Sequence, residues 1–245
     1  MPRFNLGMAL RHPVKAMKYY GAYKSMNSRL AELLGEDTDK IQKYTAEFES
    51  KTELFSIIED AVNTYRLGDL SGAARMIKAP VQYVTTRVLQ PDYIVETGVG
   101  AGISDMFYLE ALRVNAKGEL HSIDLPRQAY KIPEGVHQDY IPEEKEPGWL
   151  IPKNLRDRWH LHLGDAKVEL PRLVEKLGTI DIFMHDSEHT YEFMTFEFRT
   201  AWPRLRKGGV LLSDDINWNS SFTDFAKEVG ANAVSFVAFG GMRKV

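Results

Sequence analysis

Hydrophobic residues recur along this chain in two rhythms, a helical one before about residue 90 and a strand-like one after it. From about residue 9 to Gln90 the apolar positions keep helical spacing, and glycines interrupt them near Gly35, Gly68 and Gly72. This pattern predicts four helices and no strand in the first third of the chain.

Short runs of apolar and β-branched residues then alternate with helical stretches. The runs are DYIVE (92–96), ELHSID (119–124), WHLHLG (159–164), IDIFMH (180–185) and GVLLSD (209–214). Such alternation predicts right-handed βαβ units and a parallel sheet. The last residues, NAVSFVAFGGMRKV, predict two short strands around Gly240 and Gly241, which form a hairpin at the sheet's edge. We therefore predict an α/β fold, with a helical region over residues 1–90 and the sheet over residues 91–245.

A proline-rich insertion over residues 125–152 breaks this alternation. It holds the acidic run EEKE and five prolines, so it forms no long helix or strand. It leaves the carboxyl end of the second predicted strand, where open α/β sheets bind ligands. We therefore expect a substrate lid that carries Tyr130, Tyr140 and Trp149, and a disordered loop is the alternative.

Composition narrows the function classes. The net charge of -3 argues against nucleic-acid binding driven by charge. The chain has no cysteine, which excludes disulfides, thiolate metal sites and a cysteine nucleophile. We find neither a cleavable leader pattern nor an apolar run of about 18 residues, so we expect a cytoplasmic location.

The first thirty residues form a basic arm. They contain no acid and six basic residues, which are Arg3, Arg11, Lys15, Lys18, Lys24 and Arg29. Leu10, Val14, Met17 and either Tyr20 or Tyr23 recur at helical spacing. The arm is therefore predicted to be an amphipathic helix that packs on its own domain or on a second copy in a homodimer. Contact with a membrane surface or an acidic partner is the alternative.

A glycine-rich turn, ETGVGAGIS, follows the first predicted strand. Glycines permit positive φ and bring backbone amides close to a ligand, and the following helix adds its N-terminus. A dinucleotide fingerprint starting at Gly98 would need glycine at position 103, where the chain has Ile103. Glu96 suits a cationic ligand instead, because a carboxylate beside a pyrophosphate would repel it. A turn for some other nucleotide is the alternative.

Residues 96–102 resemble the first motif, E/D-x-G-x-G-x-G, of the class I S-adenosylmethionine-dependent methyltransferases. The resemblance implies a Rossmann-like fold, with a mostly parallel seven-stranded sheet and helices on both faces. It also implies that S-adenosylmethionine lies against this turn and the neighbouring strand ends. The residues it assigns to the cofactor are Glu96, Thr97, Gly98, Gly100, Gly102, Ser104, Asp124, Gly164, Asp165, Ala166 and His185.

Two acids in that set have alternative interpretations. Asp124 ends the second strand about twenty residues past the glycines, where a carboxylate can accept ribose hydroxyls, or it is an ordinary loop acid before Pro126. The resemblance implies that Asp165 bonds the adenine amino group. Asp165 can equally be the N-cap of a helix that starts at Ala166, and the two roles are compatible.

Carboxylates also end two strands that this fold places side by side. Asp186 follows the fourth predicted strand, and Asp214 and Asp215 follow the fifth. Three carboxylates that meet repel one another unless they are protonated or bind a cation, and all-oxygen ligands suit magnesium, calcium or manganese. We therefore predict a divalent-metal site. The alternative is that Asp186 caps a helix and Asp215 starts a turn.

The two histidines beside Asp186 have different predicted roles. His185 lies inside the fourth strand and is predicted to be a structural histidine that faces the core or the cofactor. His189 lies three residues after Asp186, at the start of a helix running toward Leu205. A neutral imidazole there can take a proton from a metal-bound hydroxyl, so His189 is the predicted catalytic base. The alternative is a helix-start histidine without a catalytic part.

The D-x-x-H spacing and the acid pair resemble the metal-dependent O-methyltransferases that act on macrolide sugars. In that group the acids hold magnesium and the histidine is the base. Caffeoyl-CoA-type enzymes have a similar layout but end the fifth strand with Asp-Asn, where this chain has Asp214 and Asp215. The resemblance covers roughly residues 91–230 and implies magnesium-dependent methylation of a small-molecule hydroxyl, on a sugar or a catechol.

Two other functions are compatible with these residues. His185, His189 and one carboxylate could form the iron site of a non-haem oxygenase. A methyltransferase-like fold could also bind S-adenosylmethionine or a partner without catalysis. Serine hydrolase chemistry is disfavoured, because the sequence has no G-x-S-x-G turn.

Overall fold

The structure is a computed structural model, and it describes residues 13–65, 77–129, 141–142 and 144–245. Within these ranges, four helices precede the first strand: α1 Pro13–Leu34, α2 Thr38–Glu49, α3 Thr52–Tyr65 and α4 Ala79–Leu89. Strands and helices then alternate. They are β1 Tyr93–Thr97, α5 Ile103–Asn115, β2 Glu119–Asp124, β3 Trp159–Leu163, α6 Ala166–Leu177, β4 Ile180–His185, α7 Tyr191–Ala201, β5 Leu205–Ser213, α8 Ser221–Glu228, β6 Ala233–Phe236 and β7 Phe239–Arg243.

The strands form one seven-stranded sheet in the order β3-β2-β1-β4-β5-β7-β6. The first five in this order are parallel, and β7 and β6 are antiparallel to their neighbours. This confirms the predicted α/β fold. The strand order reverses between β1 and β4, and ligands bind outside the carboxyl ends of the strands at such a reversal.

The final hairpin is present, but its predicted turn was misplaced. The chain turns between β6 and β7 at Val237, where φ is 72°, whereas Gly240 and Gly241 lie within β7. A Cβ on Gly241 would lie 2.8 Å from side-chain carbons of Leu212 and Leu33. Gly241 therefore serves close packing against β5 and α1, and Gly240 serves close packing against Ile216 and Phe222, rather than chain reversal.

Helices cover both faces of the sheet. One face carries Ile94 and Leu212 and packs on α1 to α5. The other face carries Val95 and Phe183 and packs on α6, α7 and α8. Neighbouring residues of a strand point to opposite faces, so each buried strand contributes to both halves of the core. The N-terminal helices thus share a hydrophobic core with the sheet.

Helix α1 packs on its own sheet, as predicted, but of the predicted stripe Tyr23 packs against the core, whereas Met17 and Tyr20 do not. Met26 and Leu30 are buried, whereas Met17 is 74% exposed and Tyr20 is 46% exposed. Leu10 and the side chain of Val14 lie outside the described residues. The edge hairpin determines which side of the helix is covered, because α1 packs against β6 and β7. Within the described part of the chain, no helix is both long enough and apolar enough for a membrane crossing.

The end of the proline-rich insertion packs on the glycine turn. The Gly148 amide donates to the Gly100 carbonyl at 3.0 Å, and the Leu150 amide donates to the Ala101 carbonyl at 3.0 Å. Trp149 stacks edge-on against Tyr65 of α3, with ring centroids 4.8 Å apart. Trp149 does not line the cavity described below, and its place in a lid stays a prediction. Tyr130 and Tyr140 lie outside the described residues.

Candidate active site

A cavity of about 820 Å³ lies at the carboxyl ends of β1, β2, β4 and β5. Most of the predicted site residues line it. These are Gly98, Gly100, Ser104, Asp124, Gly164, Asp165, Ala166, Asp186, His189, Asp214 and Asp215. Four other predicted cofactor residues, Glu96, Thr97, Gly102 and His185, do not line the cavity.

Each of the three glycines of the turn is needed for a different physical reason. All three have positive φ, at 85° for Gly98, 53° for Gly100 and 86° for Gly102. A Cβ on Gly98 would lie 2.0 Å from the Asp186 carbonyl oxygen, whereas a Cβ on Gly100 would meet nothing within 4 Å. A Cβ on Gly102 would strike Ile151 of the insertion at 2.8 Å. Gly100 therefore leaves space for a ligand, and Gly102 serves packing, while its contact with the cofactor stays a prediction.

Asp124 holds the glycine turn in place. Its Oδ2 accepts hydrogen bonds from the backbone amides of Val99 and Gly100, both at 2.9 Å. Asp165 is the N-cap of α6, and its Oδ1 accepts from the Lys167 amide at 2.8 Å. The capping interpretation of Asp165 is thus confirmed, and both carboxylates also line the cavity.

Glu96 lies beneath the cavity rather than on its wall. It is fully buried, and its Oε1 accepts a hydrogen bond from Ser104 Oγ at 2.6 Å. Burial raises the pKa of Glu96 well above its usual range, and the charge of Asp105 adds to this. Ser104 lines the cavity, so its hydroxyl connects Glu96 to the cavity wall.

Thr97 and His185 lie beneath the cavity and bind Glu197, a fully buried acid of α7 that the sequence interpretation missed. Glu197 Oε2 accepts from Thr97 Oγ1 at 2.7 Å and lies 2.5 Å from His185 Nδ1. Glu197 Oε1 accepts from Ser187 Oγ at 2.9 Å. His185 therefore has a structural contact, as first expected, and its contact with the cofactor stays a prediction. The sequence did contain a sign of the buried Glu197, because it is an acid on the apolar face of the helical segment FMTFEFRTA.

Lys78, which the sequence interpretation also missed, joins the two acids of the neighbouring strand ends. Its ammonium donates to Asp186 and to Asp214, at 2.9 Å from Asp214 Oδ2. The three side chains are only 15% to 25% exposed. The prediction that Asp186 and Asp214 meet is thus confirmed, but the cation between them is an ammonium group of the protein.

Asp215 stands apart from this group. Its φ is 48°, and its carbonyl accepts from the Trp218 amide at 3.0 Å, so it opens a turn as the alternative interpretation expected. Among the described residues, no three ligand atoms at this end of the sheet lie within 4.8 Å of one another. The predicted convergence of three carboxylates is therefore corrected to two.

The charges of this group depend on one another. Burial lowers the pKa of Lys78, but the charges of Asp186 and Asp214 outweigh it and raise that pKa overall. Burial raises the pKa of Asp186 well above its usual range, although Lys78 opposes this. Burial acts the same way on Asp214, yet the positive charge of Lys78 holds the pKa of Asp214 below its usual range. Lys78 is thus a lasting positive charge on the cavity wall.

His189 faces the same part of the cavity. Its Nε2 lies 3.9 Å from Asp186 Oδ1 and 3.8 Å from Asp215 Oδ2, and has no hydrogen-bond partner among the described residues. Burial lowers the pKa of His189 to about 4, with His185 and Lys78 adding to the effect. The ring is therefore neutral near pH 7.

The helix after His189 starts later than predicted. Thr190 is the N-cap of α7, and its Oγ1 accepts from the Phe193 amide at 3.3 Å. His189 therefore precedes the helix, and Asp186 does not cap it. In the loop at residues 186–189, the side chains of Asp186 and His189 instead line the cavity.

The N-terminal helices complete the cavity wall. Tyr19 of α1 and Gln82 of α4 line it, and so does Lys78, which directly precedes α4. Burial raises the pKa of Tyr19, and the charges of Asp214 and Asp215 add to this. Residues before β1 thus contribute both a phenol and an ammonium group to the site.

Known structures share this architecture. An O-methyltransferase from Bacillus cereus in complex with S-adenosylhomocysteine is 14% identical, covers 83% of this chain and 100% of its own, and gives a TM-score of 0.56. The O-methyltransferase TomG from Streptomyces achromogenes, involved in tomaymycin synthesis and bound to S-adenosylmethionine, is 16% identical. It covers 78% of this chain and 89% of its own, with a TM-score of 0.54. At such low sequence identity, the structural similarity shows that the fold is shared and nothing more.

A further structural neighbour and one family extend this finding. The S-adenosylhomocysteine-bound methyltransferase PaMTH1 from Podospora anserina is 13% identical, covers 84% of this chain and 88% of its own, and has a TM-score of 0.51. Residues 95–216 match the family described as a methyltransferase domain. A search of curated proteins found no match. The fold is that of the class I methyltransferases. The stretch that matches the methyltransferase domain spans the glycine turn and the ends of β2, β4 and β5.

Proposed function

We propose that this protein is an S-adenosylmethionine-dependent O-methyltransferase that acts on a hydroxyl of a small molecule. The observation that carries the proposal is one cavity that joins the glycine turn to the ionic group of Lys78, Asp186 and Asp214, with His189 beside them. Two O-methyltransferases of the same fold, one bound to the product of the cofactor and one bound to the cofactor, support it.

The cofactor half of the cavity is the part lined by the glycine turn and the ends of β2 and β3. Gly100 leaves open space where any other residue would place a Cβ, which suits the close approach of a nucleoside. We assign Asp124 to the ribose hydroxyls, because it ends β2 and lines the cavity. We assign Asp165 to the adenine edge, which it can contact while it caps α6. S-adenosylmethionine would supply an electrophilic methyl group on its sulfonium.

The other half of the cavity, near Lys78 and His189, would hold the substrate hydroxyl. It contains the side chain that can take the proton of that hydroxyl. His189 is neutral near pH 7, and its Nε2 lone pair has no hydrogen-bond partner among the described residues. It can therefore take the proton of an acceptor hydroxyl as that oxygen forms its bond to the methyl carbon. Tyr19 and Gln82 add polar groups that can orient the acceptor.

The residues do not fit a divalent ion as they are arranged. Magnesium takes oxygen ligands, but the ammonium of Lys78 lies between the carboxylates of Asp186 and Asp214 and would repel a second cation. We propose that Lys78 stabilises the negative charge that develops on the acceptor oxygen. Magnesium-dependent catalysis is the alternative. An assay with excess chelator separates the two, because turnover should persist without metal only if Lys78 supplies the charge.

The base assignment is tested by replacing His189 with alanine. We expect turnover to fall by about a hundredfold to ten-thousandfold, the usual range for a lost general base. The assay follows transfer of a labelled methyl group from S-adenosylmethionine to a panel of catechols and methyl glycosides. Calorimetry with S-adenosylhomocysteine should show unchanged affinity. The exposed Arg199→Ala, on α7, is the control for general effects. Wild-type turnover in the His189 variant would refute its role, and the absence of transfer to any acceptor by the wild type would contradict the proposed function.

A further inference from the structure

Three histidines and a glutamate meet at the opposite end of the sheet from the cavity. Glu119 and His121 lie on β2, and His160 lies beside His121 on the edge strand β3. Residues two apart on a strand share a face. Asp124, at the cavity end of β2, is five residues from Glu119, which is about 16 Å along a strand. The cluster is therefore separate from the methyltransferase site.

The spacing of the polar atoms is that of metal ligands. Glu119 Oε2 lies 3.5 Å from His121 Nε2 and 3.4 Å from His160 Nε2. A tetrahedral ion bound at about 2.0 to 2.1 Å holds its ligand atoms about 3.3 to 3.4 Å apart. In the described part of the chain, these three side chains form the one group of three such ligands within 4.8 Å of one another.

His121 is held so that one nitrogen faces the cluster. Its Nδ1 lies 3.2 Å from His162 Nε2, and its ring stacks on that of His160 at 4.6 Å. If Nδ1 carries the proton and donates to His162, the lone pair of His121 lies on Nε2. That Nε2 is buried and has no hydrogen-bond partner among the described residues. A hydrogen bond of this kind on the second nitrogen is what usually orients a metal-binding histidine.

The charge of the cluster also favours a cation. Glu119 adds a negative charge that offsets that of a bound cation.

We propose that Glu119, His121 and His160 form a binding site for a transition-metal ion of the zinc class. Two imidazoles and a carboxylate suit Zn²⁺ rather than Mg²⁺, which prefers oxygen ligands. The three protein ligands leave a fourth position for water. Because the ligands come from two paired strands, the ion would fasten the edge strand β3 to β2. This proposal does not depend on the methyltransferase assignment.

The test is calorimetry of ZnCl₂ binding to chelator-treated protein. We expect about one equivalent of Zn²⁺ to bind and to raise the melting temperature, with no heat from MgCl₂. His160→Ala should weaken Zn²⁺ binding at least tenfold, since even loss of an outer-shell partner costs about tenfold to a hundredfold. His160 is 44% exposed in its side chain, so this variant should fold. Asp186→Asn, which alters only the cavity, should leave Zn²⁺ binding unchanged.

Cobalt spectroscopy provides a second measurement. Co²⁺ in the wild type should give the strong visible absorption of a four-coordinate site, and Glu119→Gln should weaken it. The proposal is overturned if the wild type binds no Zn²⁺, if His160→Ala binds it equally well, or if Asp186→Asn abolishes binding. The last result would place the ion in the cavity instead.

Discussion

Replacing Lys78 with methionine should lower methyl transfer by about a hundredfold to a thousandfold, the cost of losing one donor aimed at developing negative charge. The ammonium contacts both Asp186 and Asp214, and no other cation contacts either carboxylate in the described part of the chain. The variant should also lose about 3 to 5 kcal/mol of stability, because it leaves buried carboxylates without their partner. Steady-state kinetics and thermal unfolding measure the two effects.

A matched triple variant separates catalysis from folding. Lys78→Met combined with Asp186→Asn and Asp214→Asn removes the charges together, so most of the lost stability should return. Methyl transfer should stay low, since the positive charge is still missing. If the triple variant recovers wild-type turnover, or if the wild type stops turning over in chelator and resumes with added Mg²⁺, Lys78 does not have the proposed role.

Replacing Gly98 with alanine should destabilise the protein by about 3 to 5 kcal/mol. The backbone at Gly98 has a φ of 85°, and a Cβ there would lie 2.0 Å from the carbonyl oxygen of Asp186. Relief of that contact requires the loop after β4 to move away from β1, which also displaces Asp186 from Lys78. Chemical denaturation measures the loss.

Gly100→Ala is the matched control within the same turn. Its φ is 53°, but the new Cβ would meet nothing within 4 Å, so only the conformational cost of about 1 to 2 kcal/mol applies. This variant should fold and should bind S-adenosylhomocysteine more weakly, because the methyl group enters the proposed cofactor space. Equal stability losses in the two variants would show that the contact with Asp186 is not the reason why position 98 requires glycine.

The sheet could be predicted from the sequence because its strands are short, apolar and separated by helices. Each of the five parallel runs became a strand, and topology rules then placed their carboxyl ends at one edge. The hairpin turn was misplaced because Gly240 and Gly241 resemble turn residues. Gly241 is instead required by the space that Leu33 takes, more than 200 residues away, and no local pattern shows such packing.

The candidate site could be predicted only where strand ends define it. Asp186 and Asp214 end neighbouring strands, so their meeting followed from the fold. Lys78 contacts them across 108 and 136 residues of chain, and a lysine before a helix carries no signal of that pairing. The contacts of Glu197 could not be predicted either, because its partners Thr97 and His185 lie on two different strands. Lys78 could therefore be identified as the cation of the site only from the structure.

A crystal structure with S-adenosylhomocysteine and magnesium would show which cation lies between the two carboxylates of the site. We expect the nucleoside against Gly100 and Asp124, the sulfur facing His189, and the ammonium of Lys78 still between Asp186 and Asp214. Density for a magnesium ion between those two carboxylates, with Lys78 turned away, would contradict this expectation, and so would a nucleoside bound outside the cavity.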